Sequence, residues 1–85
     1  MNKILNDFKV TNRLAFIEFF NLLRQDLLGN PENWENKTLP DFLEALSSCT
    51  EDIQGYYSNM KQEINVNNPN WQVFADIFKS ATIYE

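Results

Sequence analysis

Hydrophobic residues recur every three to four positions along most of this chain, a spacing that predicts α-helices. Three such amphipathic segments follow one another, and polar stretches near 30–37 and 58–70 separate them. Because an amphipathic helix buries one face, we expect an all-α fold, a small bundle of three main helices with aromatic side chains at its centre. The 85 residues favour one domain that spans 1–85.

The first predicted helix begins near Thr11 or Asn12, since either residue can act as its N-cap, and ends near Leu28. Gly29 is expected to take the left-handed conformation that often follows a last helical turn. One broad face of this helix collects the apolar side chains Ala15, Phe16, Phe19, Phe20, Leu23 and Leu27.

Three apolar residues of the first helix, Leu14, Ile17 and Leu28, fall near its polar side instead. The favoured interpretation is that the N-terminal arm or the loop after Gly29 covers them. The alternative is a second contact surface for a partner or for a twin subunit.

Two segments outside the three helices carry large apolar residues. Residues 1–10 could form one amphipathic helical turn or an extended arm, and the pattern leaves both open. The polar connector 30–37 contains Trp34, which we expect to fold back as a lid on the core. A buried indole needs an acceptor for its N–H group.

The second helix has the clearest start signal. Thr38 is a good N-cap, Pro40 lies in the first turn, and Asp41 stands three residues after the cap. Gly55 is expected to mark the end of the helix or a bend in it. Its apolar arc comprises Leu39, Phe42, Leu43, Leu46, Cys49, Ile53 and Tyr57.

The third helix follows an asparagine-rich loop at 58–70. We expect Asn68 to cap this helix and Pro69 to occupy its first position. Its predicted inward stripe consists of Trp71, Phe74, Ala75, Phe78 and Ala81.

The charge balance narrows the choice of partners. Seven Lys and Arg against twelve Asp and Glu give a net charge of −5. Nucleic acids and anionic membranes require clustered positive charge, so neither is expected as a partner. No apolar run is long enough to span a bilayer, and no secretory signal pattern is present, which predicts a cytoplasmic protein.

The sequence offers little material for catalysis. It contains no histidine, which removes the commonest general base and metal ligand, and we expect no enzyme activity, metal or cofactor. Cys49 lies on the apolar arc, where a thiol acts as a small hydrophobe. Glu44, Glu51 and Asp52 lie on the polar face of the second helix, either as a solvated face or as a docking stripe for a basic partner.

Several segments together resemble a family of small bacterial domains of unknown function. They are Trp34-Glu35-Asn36, Thr38-Leu39, Phe42-Leu43-Glu44-Ala45, Gly55-Tyr56-Tyr57 and a C-terminal Ala-x-Ile-Tyr-Glu at 81–85. The resemblance covers roughly residues 10–85. It implies a bacterial cytoplasmic protein, and it brings no established activity or functional residues.

These observations predict a non-enzymatic protein–protein interaction module, such as an inhibitor or immunity-type partner. Tyr56 is the first candidate contact because exposed tyrosines often anchor interfaces. The further candidate contacts are Glu44, Glu51, Asp52, Leu14 and Ile17. The partner is another protein or, in a homodimer, a second copy. The alternative is a small-ligand-binding protein or enzyme with a site near Trp34, Tyr56, Tyr57 and Trp71.

Overall fold

The computed structural model describes residues 3–84, so Glu85 of the C-terminal motif lies outside the described residues. The helices are α1 (Lys3–Asp7), α2 (Arg13–Gly29), α3 (Leu39–Asn59) and α4 (Trp71–Ile83), and a 3-10 turn covers Pro31–Asn33. This range contains no strand, which confirms the all-α prediction with three main helices. None of the helices within it is long and apolar enough to cross a membrane.

The central element is α4, which packs against both α3 and α2. One buried cluster joins it to α3 and comprises Ala45, Cys49, Ile53, Tyr57, Val73, Ile77 and Ala81. A second cluster joins it to α1, α2 and the connector and comprises Leu5, Val10, Phe19, Leu23, Trp34 and Ala75. The core is therefore two clusters that share one helix.

The predicted inward stripe of α4 is wrong in part. Val73 and Ile77 are buried, whereas Trp71 is 39% exposed and Phe74 is 42% exposed. The reason is that α4 is apolar around most of its circumference and packs on two sides. Periodicity alone does not select one inward face in such a helix.

Side-chain caps start the three main helices. The side chains of Asn12, Thr38 and Asn70 accept hydrogen bonds from the backbone N–H three residues later, at 2.8, 3.3 and 3.0 Å. The caps predicted for α2 and α3 are confirmed. The prediction of Asn68 as the cap of α4, with Pro69 in its first turn, is wrong. The chain turns at Asn68, and Pro69 instead precedes the true cap.

Two glycine predictions are also wrong: Gly29 as the left-handed residue after α2, and Gly55 as the end of its helix. Gly29 is the last residue of α2, and no glycine in residues 3–84 has a positive φ. Gly55 lies inside α3, which continues to Asn59. The left-handed residue after α3 is Lys61, with φ 57°. Here the following N–H groups return to carbonyls of the last turn, which is the Schellman ending, with lysine where glycine is usual.

The N-terminal segment is helical and tied to the bundle. α1 buries Leu5, and Val10 beyond it is fully buried in the cluster on the α2 side. The backbone N–H of Val10 donates to Oε1 of Gln72 on α4, at 2.6 Å. Of the two alternatives for residues 1–10, the helical turn is the one observed over Lys3–Asp7.

Candidate functional site

An apolar groove of about 360 Å³ opens between α2 and the beginning of α3. These helices make little direct contact with each other, because each packs on α4 instead. The gap is lined by apolar side chains of all three helices: Phe20, Leu23, Leu27, Leu39, Phe42 and Phe78. We call this gap the α2–α3 groove.

Trp34 forms part of the groove and is held in place by a buried carboxylate. Its indole Nε1–H donates to Oδ2 of Asp26, at 2.8 Å. Both residues are buried, and the indole packs against the ring of Phe42 with centroids 5.8 Å apart. The predicted lid is confirmed, and its acceptor is Asp26. A hydrogen bond to a charged group restricts the ring strongly, so this part of the groove is preformed.

The rim of the groove is positively charged. Among the described residues, Arg24 and Lys37 are the only charged ones that line it, and both are exposed. Within residues 3–84, neither makes an ion pair. The chain as a whole has a net charge of −5, so this rim is a local departure from the overall charge.

Exposed leucines extend the apolar surface beyond the groove. Leu39 on its edge is 68% exposed, and Leu43 one turn further along α3 is 54% exposed. The exposed apolar surface therefore extends beyond the groove itself.

A continuous series of ring contacts, the aromatic belt, supports one wall of the groove. It runs in the order Trp34, Phe42, Phe78, Phe20, Phe16 and Trp71, with successive centroids 4.4–6.0 Å apart. Each such pair contributes about 0.5–1.5 kcal/mol beyond the area it buries. Phe20 and Trp71 are each 39% exposed, so the belt also reaches the surface.

The structure leaves the outer face of α2 uncovered. Leu14 is 67% exposed and Ile17 is 48% exposed, like Leu28 at the other end of the helix. The favoured interpretation, that the N-terminal arm or the loop after Gly29 covers these residues, is therefore wrong. The reason is that the N-terminal segment packs its own apolar residues into the cluster on the opposite face of α2.

The predicted acidic residues lie on the exposed face of α3. Glu44, Glu51 and Asp52 are all exposed. The carboxylate of Asp52 accepts a hydrogen bond from the hydroxyl of Tyr84. This bond, with smaller contributions from neighbouring groups, raises the pKa of Tyr84 above its ordinary value. Asp52 therefore holds the segment after α4, while Glu44 and Glu51 remain available as a predicted contact.

Tyr56 borders a polar cleft at the other end of the molecule. It is 48% exposed, and its ring meets that of Tyr57 edge-on at 5.3 Å. The hydroxyl of the buried Tyr57 donates to Oδ2 of Asp76, at 2.6 Å. Burial first, and then this bond and the carboxylate charge, raise the pKa of Tyr57 well above its ordinary range.

The same carboxylate organises the rest of the cleft. Oδ1 of Asp76 accepts from the side-chain amide of Gln72 at 2.9 Å, and Lys79 lies 3.4 Å from it. The hydrogen-bonding groups of these side chains are paired with one another. The arrangement is therefore a structural network that ties α4 to α3 and to the N-terminal segment.

The four rings of the alternative small-ligand site do not line one cavity together. Trp34 lines the α2–α3 groove, whose lining includes none of the other three rings. Tyr56 and Tyr57 line the polar cleft, whose lining includes neither tryptophan. Trp71 packs on Phe16, with centroids 5.6 Å apart.

The single thiol lies in the core, as predicted. Cys49 is 3% exposed in the cluster between α3 and α4. Burial, and secondarily the nearby Asp52, raise its pKa, which disfavours the reactive thiolate. Residues 3–84 contain no group of three or more Cys, Asp or Glu side chains arranged to hold a metal ion.

Comparison with known proteins assigns a family. The model of a family of unknown function, DUF7660, matches residues 12–85. The chain belongs to DUF7660. No curated protein and no solved structure matches it. The predicted resemblance to a family of unknown function is therefore confirmed at the level of the family.

Two segments on which that resemblance was based contact each other in this DUF7660 chain. The side-chain amide of Asn36 donates to the carbonyls of Ala81 and Tyr84, at 2.9 and 2.6 Å. The backbone N–H groups of Glu35 and Asn36 both donate to the carbonyl of Thr82, at 2.8 and 3.2 Å. Glu35 and Asn36 thus bind carbonyls that the end of α4 leaves without helical partners. We call this set of contacts the C-terminal clasp.

The clasp positions the groove. Trp34 and Asn36 both line the groove, and Asn36 is fixed to the end of α4. Its position in the sequence gave no signal for this role, because the clasp joins residues that are 45 or more positions apart.

Proposed function

We propose that this DUF7660 chain is a non-enzymatic protein-binding module and that its partner protein docks on the α2–α3 groove and the leucines beside it. The observation that carries the proposal is the exposure of Leu39 and Leu43 beside an already apolar groove. Contiguous apolar surface of this kind on a small protein is typical of an interaction site.

The size and the openness of the site favour a protein over a small molecule. The volume of about 360 Å³ is at the lower end of ligand pockets, which are roughly 300–1,000 Å³. A small ligand needs a cavity that encloses most of its surface. Here the apolar side chains continue outside the groove along α3, which suits a partner with an extended surface.

Comparative isolation tests the proposal. The wild-type chain, L39Q/L43Q and E44Q/E51Q are each used to isolate proteins from cells that naturally make this chain. All four substituted side chains are exposed, so the variants are expected to fold. The proposal expects a partner that is retained by E44Q/E51Q and lost by L39Q/L43Q. With purified components, the dissociation constant should rise at least about tenfold for L39Q/L43Q.

Two results contradict the proposal. One is a wild-type chain that retains no protein above the level of an unrelated control. The other is a partner that is lost by E44Q/E51Q but retained by L39Q/L43Q, which would place the contact on the acidic face of α3.

A further inference from the structure

The charge and shape of the α2–α3 groove indicate the chemistry of its occupant. Arg24 and Lys37 stand at the rim, no carboxylate residue among residues 3–84 lines the groove, and the rest of the lining is mainly apolar. Neither cation makes an ion pair within the described residues. We infer that the groove takes an amphipathic helical segment of a partner protein, with apolar side chains flanked by carboxylates.

This inference rests on the proposed function and names the chemical class of the partner. The apolar side chains would enter between α2 and α3, and the carboxylates would meet Arg24 and Lys37. Complementary charges at a rim set orientation and speed association, and they exclude segments with basic flanks. An acidic chain of net charge −5 repels an acidic partner elsewhere, so the rim also selects the docking site.

The geometry favours a helix in the groove. The side walls are themselves helices that leave a gap over α4, and a helix in such a groove presents anchors at i, i+3, i+4 and i+7. The apolar surface runs on along α3 from Leu39 to Leu43, which are one turn apart. Anchors spaced by helical turns match this extended surface.

A fatty acid fits less well. It could pair its carboxylate with the rim, but it would leave Leu43 outside the groove uncovered. A second copy of the chain is the other possible occupant, and the cross-linking experiment distinguishes it from a different protein.

Photo-crosslinking identifies the occupant directly. Leu39 is replaced by p-benzoylphenylalanine in the full chain, in cells that naturally make it, and the cross-linked product is mapped by mass spectrometry. The same substitution at Ser58, an exposed position near the far end of α3 that does not line the groove, is the control. We expect cross-linking from position 39, and not from position 58, to an acidic amphipathic segment of another protein.

The captured segment, made as a peptide, is then titrated against purified wild-type chain and R24Q/K37Q. The matched control is R13Q/K61Q, which also removes one arginine and one lysine, both exposed and both away from the groove. We expect about fivefold weaker binding for R24Q/K37Q, with a reduced dependence on salt. The control should change binding by less than about twofold.

Several results overturn the inference. They are a captured segment with neutral or basic flanks, equal affinity for R24Q/K37Q and the wild type, cross-linking only to lipid or to a second copy, and no cross-link from position 39. The comparative isolation described above decides the proposed function separately. If the partner is lost by L39Q/L43Q, the proposed function stands even when the docking segment of the partner is not acidic.

Discussion

The hydrogen bond between the buried residues Asp26 and Trp34 could have been predicted from the sequence. Asp26 follows Phe19 by seven positions and Leu23 by three, so it lies within the apolar arc of α2. A carboxylate on that arc needs a hydrogen-bond donor. The lid predicted for Trp34 also needed an acceptor for its indole. Combining these two requirements would have predicted their hydrogen bond.

Removing the hydroxyl of Tyr57 tests the network around Asp76. Y57F deletes a partly buried hydrogen bond to a carboxylate, and such bonds contribute roughly 1.5–3 kcal/mol. We expect the free energy of unfolding at pH 7 to fall by about that amount in urea titrations. Y56F is the matched control, and it should change stability by less than about 0.5 kcal/mol, because that ring is half-exposed. Equal losses in both variants would contradict the assignment.

The contribution of the Tyr57–Asp76 hydrogen bond to stability depends on pH. The pKa of Tyr57 is raised in the folded protein, so its stabilising contribution is fully present below the ordinary tyrosine pKa of about 10. That contribution is lost as the pH rises above about 10 towards the folded-state pKa. The difference in unfolding free energy between the wild type and Y57F should therefore be constant from pH 7 to 9 and shrink at higher pH. A difference that grows with pH would contradict the sign of the shift.

Among the helices, α3 contains a glycine, Gly55, whose position does not require glycine. Gly55 is exposed inside the helix, its φ is not positive, and a Cβ there would meet no atom within 4 Å. Alanine is favoured over glycine inside a helix by about 0.8–1.0 kcal/mol. G55A should therefore raise the free energy of unfolding by about that amount. G29A, at the last residue of α2, should gain less. A loss of stability in G55A would show that the helix bends there.

The start of α4 offers a direct test between two neighbouring asparagines. Asn70 is the observed N-cap, and replacing such a cap by alanine costs about 1 kcal/mol. N70A should lower the melting temperature, while N68A should leave it nearly unchanged. The opposite order would restore the cap predicted from the sequence.

The C-terminal clasp can be opened at one side chain. N36A removes two hydrogen bonds to carbonyls at the end of α4, and we expect unfolding free energy to fall by about 1–3 kcal/mol. Amide hydrogen exchange should accelerate at residues 81–83. N33A, in the exposed 3-10 turn, is the control and should leave both measurements unchanged. Unchanged exchange in N36A would show that α4 ends stably without the clasp.

These elements show where sequence patterns suffice. The caps Asn12 and Thr38 and most of the apolar arcs of α2 and α3 depend on nearby residues, and they were predicted. Leu39 and Leu43 of the α3 arc are the exception, because α2 does not pack against them and they stay exposed. The cap of α4 was missed because asparagines flank Pro69 closely on both sides, and the sequence permits either as the cap. The ending of α3 was missed because Lys61, not a glycine, takes the left-handed conformation there.

For the molecule as a whole, the sequence predicted the bundle but not which helix lies at its centre. α4 packs on both sides, so its buried residues depend on the positions of α2 and α3. The α2–α3 groove follows from the same arrangement and was not predicted. Of the predicted site residues, the structure leaves Leu14, Ile17, Tyr56, Glu44 and Glu51 exposed on more than one face.

The free chain is expected to be a monomer although the outer face of α2 is exposed. If the groove serves a different protein, light scattering over a concentration series should give the monomer mass of 10.0 kDa. L14Q/I17Q should match the wild type in mass, and its stability should change by less than about 0.5 kcal/mol because both side chains are exposed. A dimer that L14Q/I17Q converts to a monomer would instead assign this face to self-association.

The central position of α4 has a consequence for synthesis on the ribosome. α4 contributes to both buried clusters and follows α2 and α3 in the chain, so neither cluster can close until residues 71–83 have emerged. The apolar faces of the earlier helices stay open to chaperones and proteases during that interval. A nascent chain arrested before Trp71 should therefore remain sensitive to protease, and resistance should appear in one step once α4 is free of the ribosome.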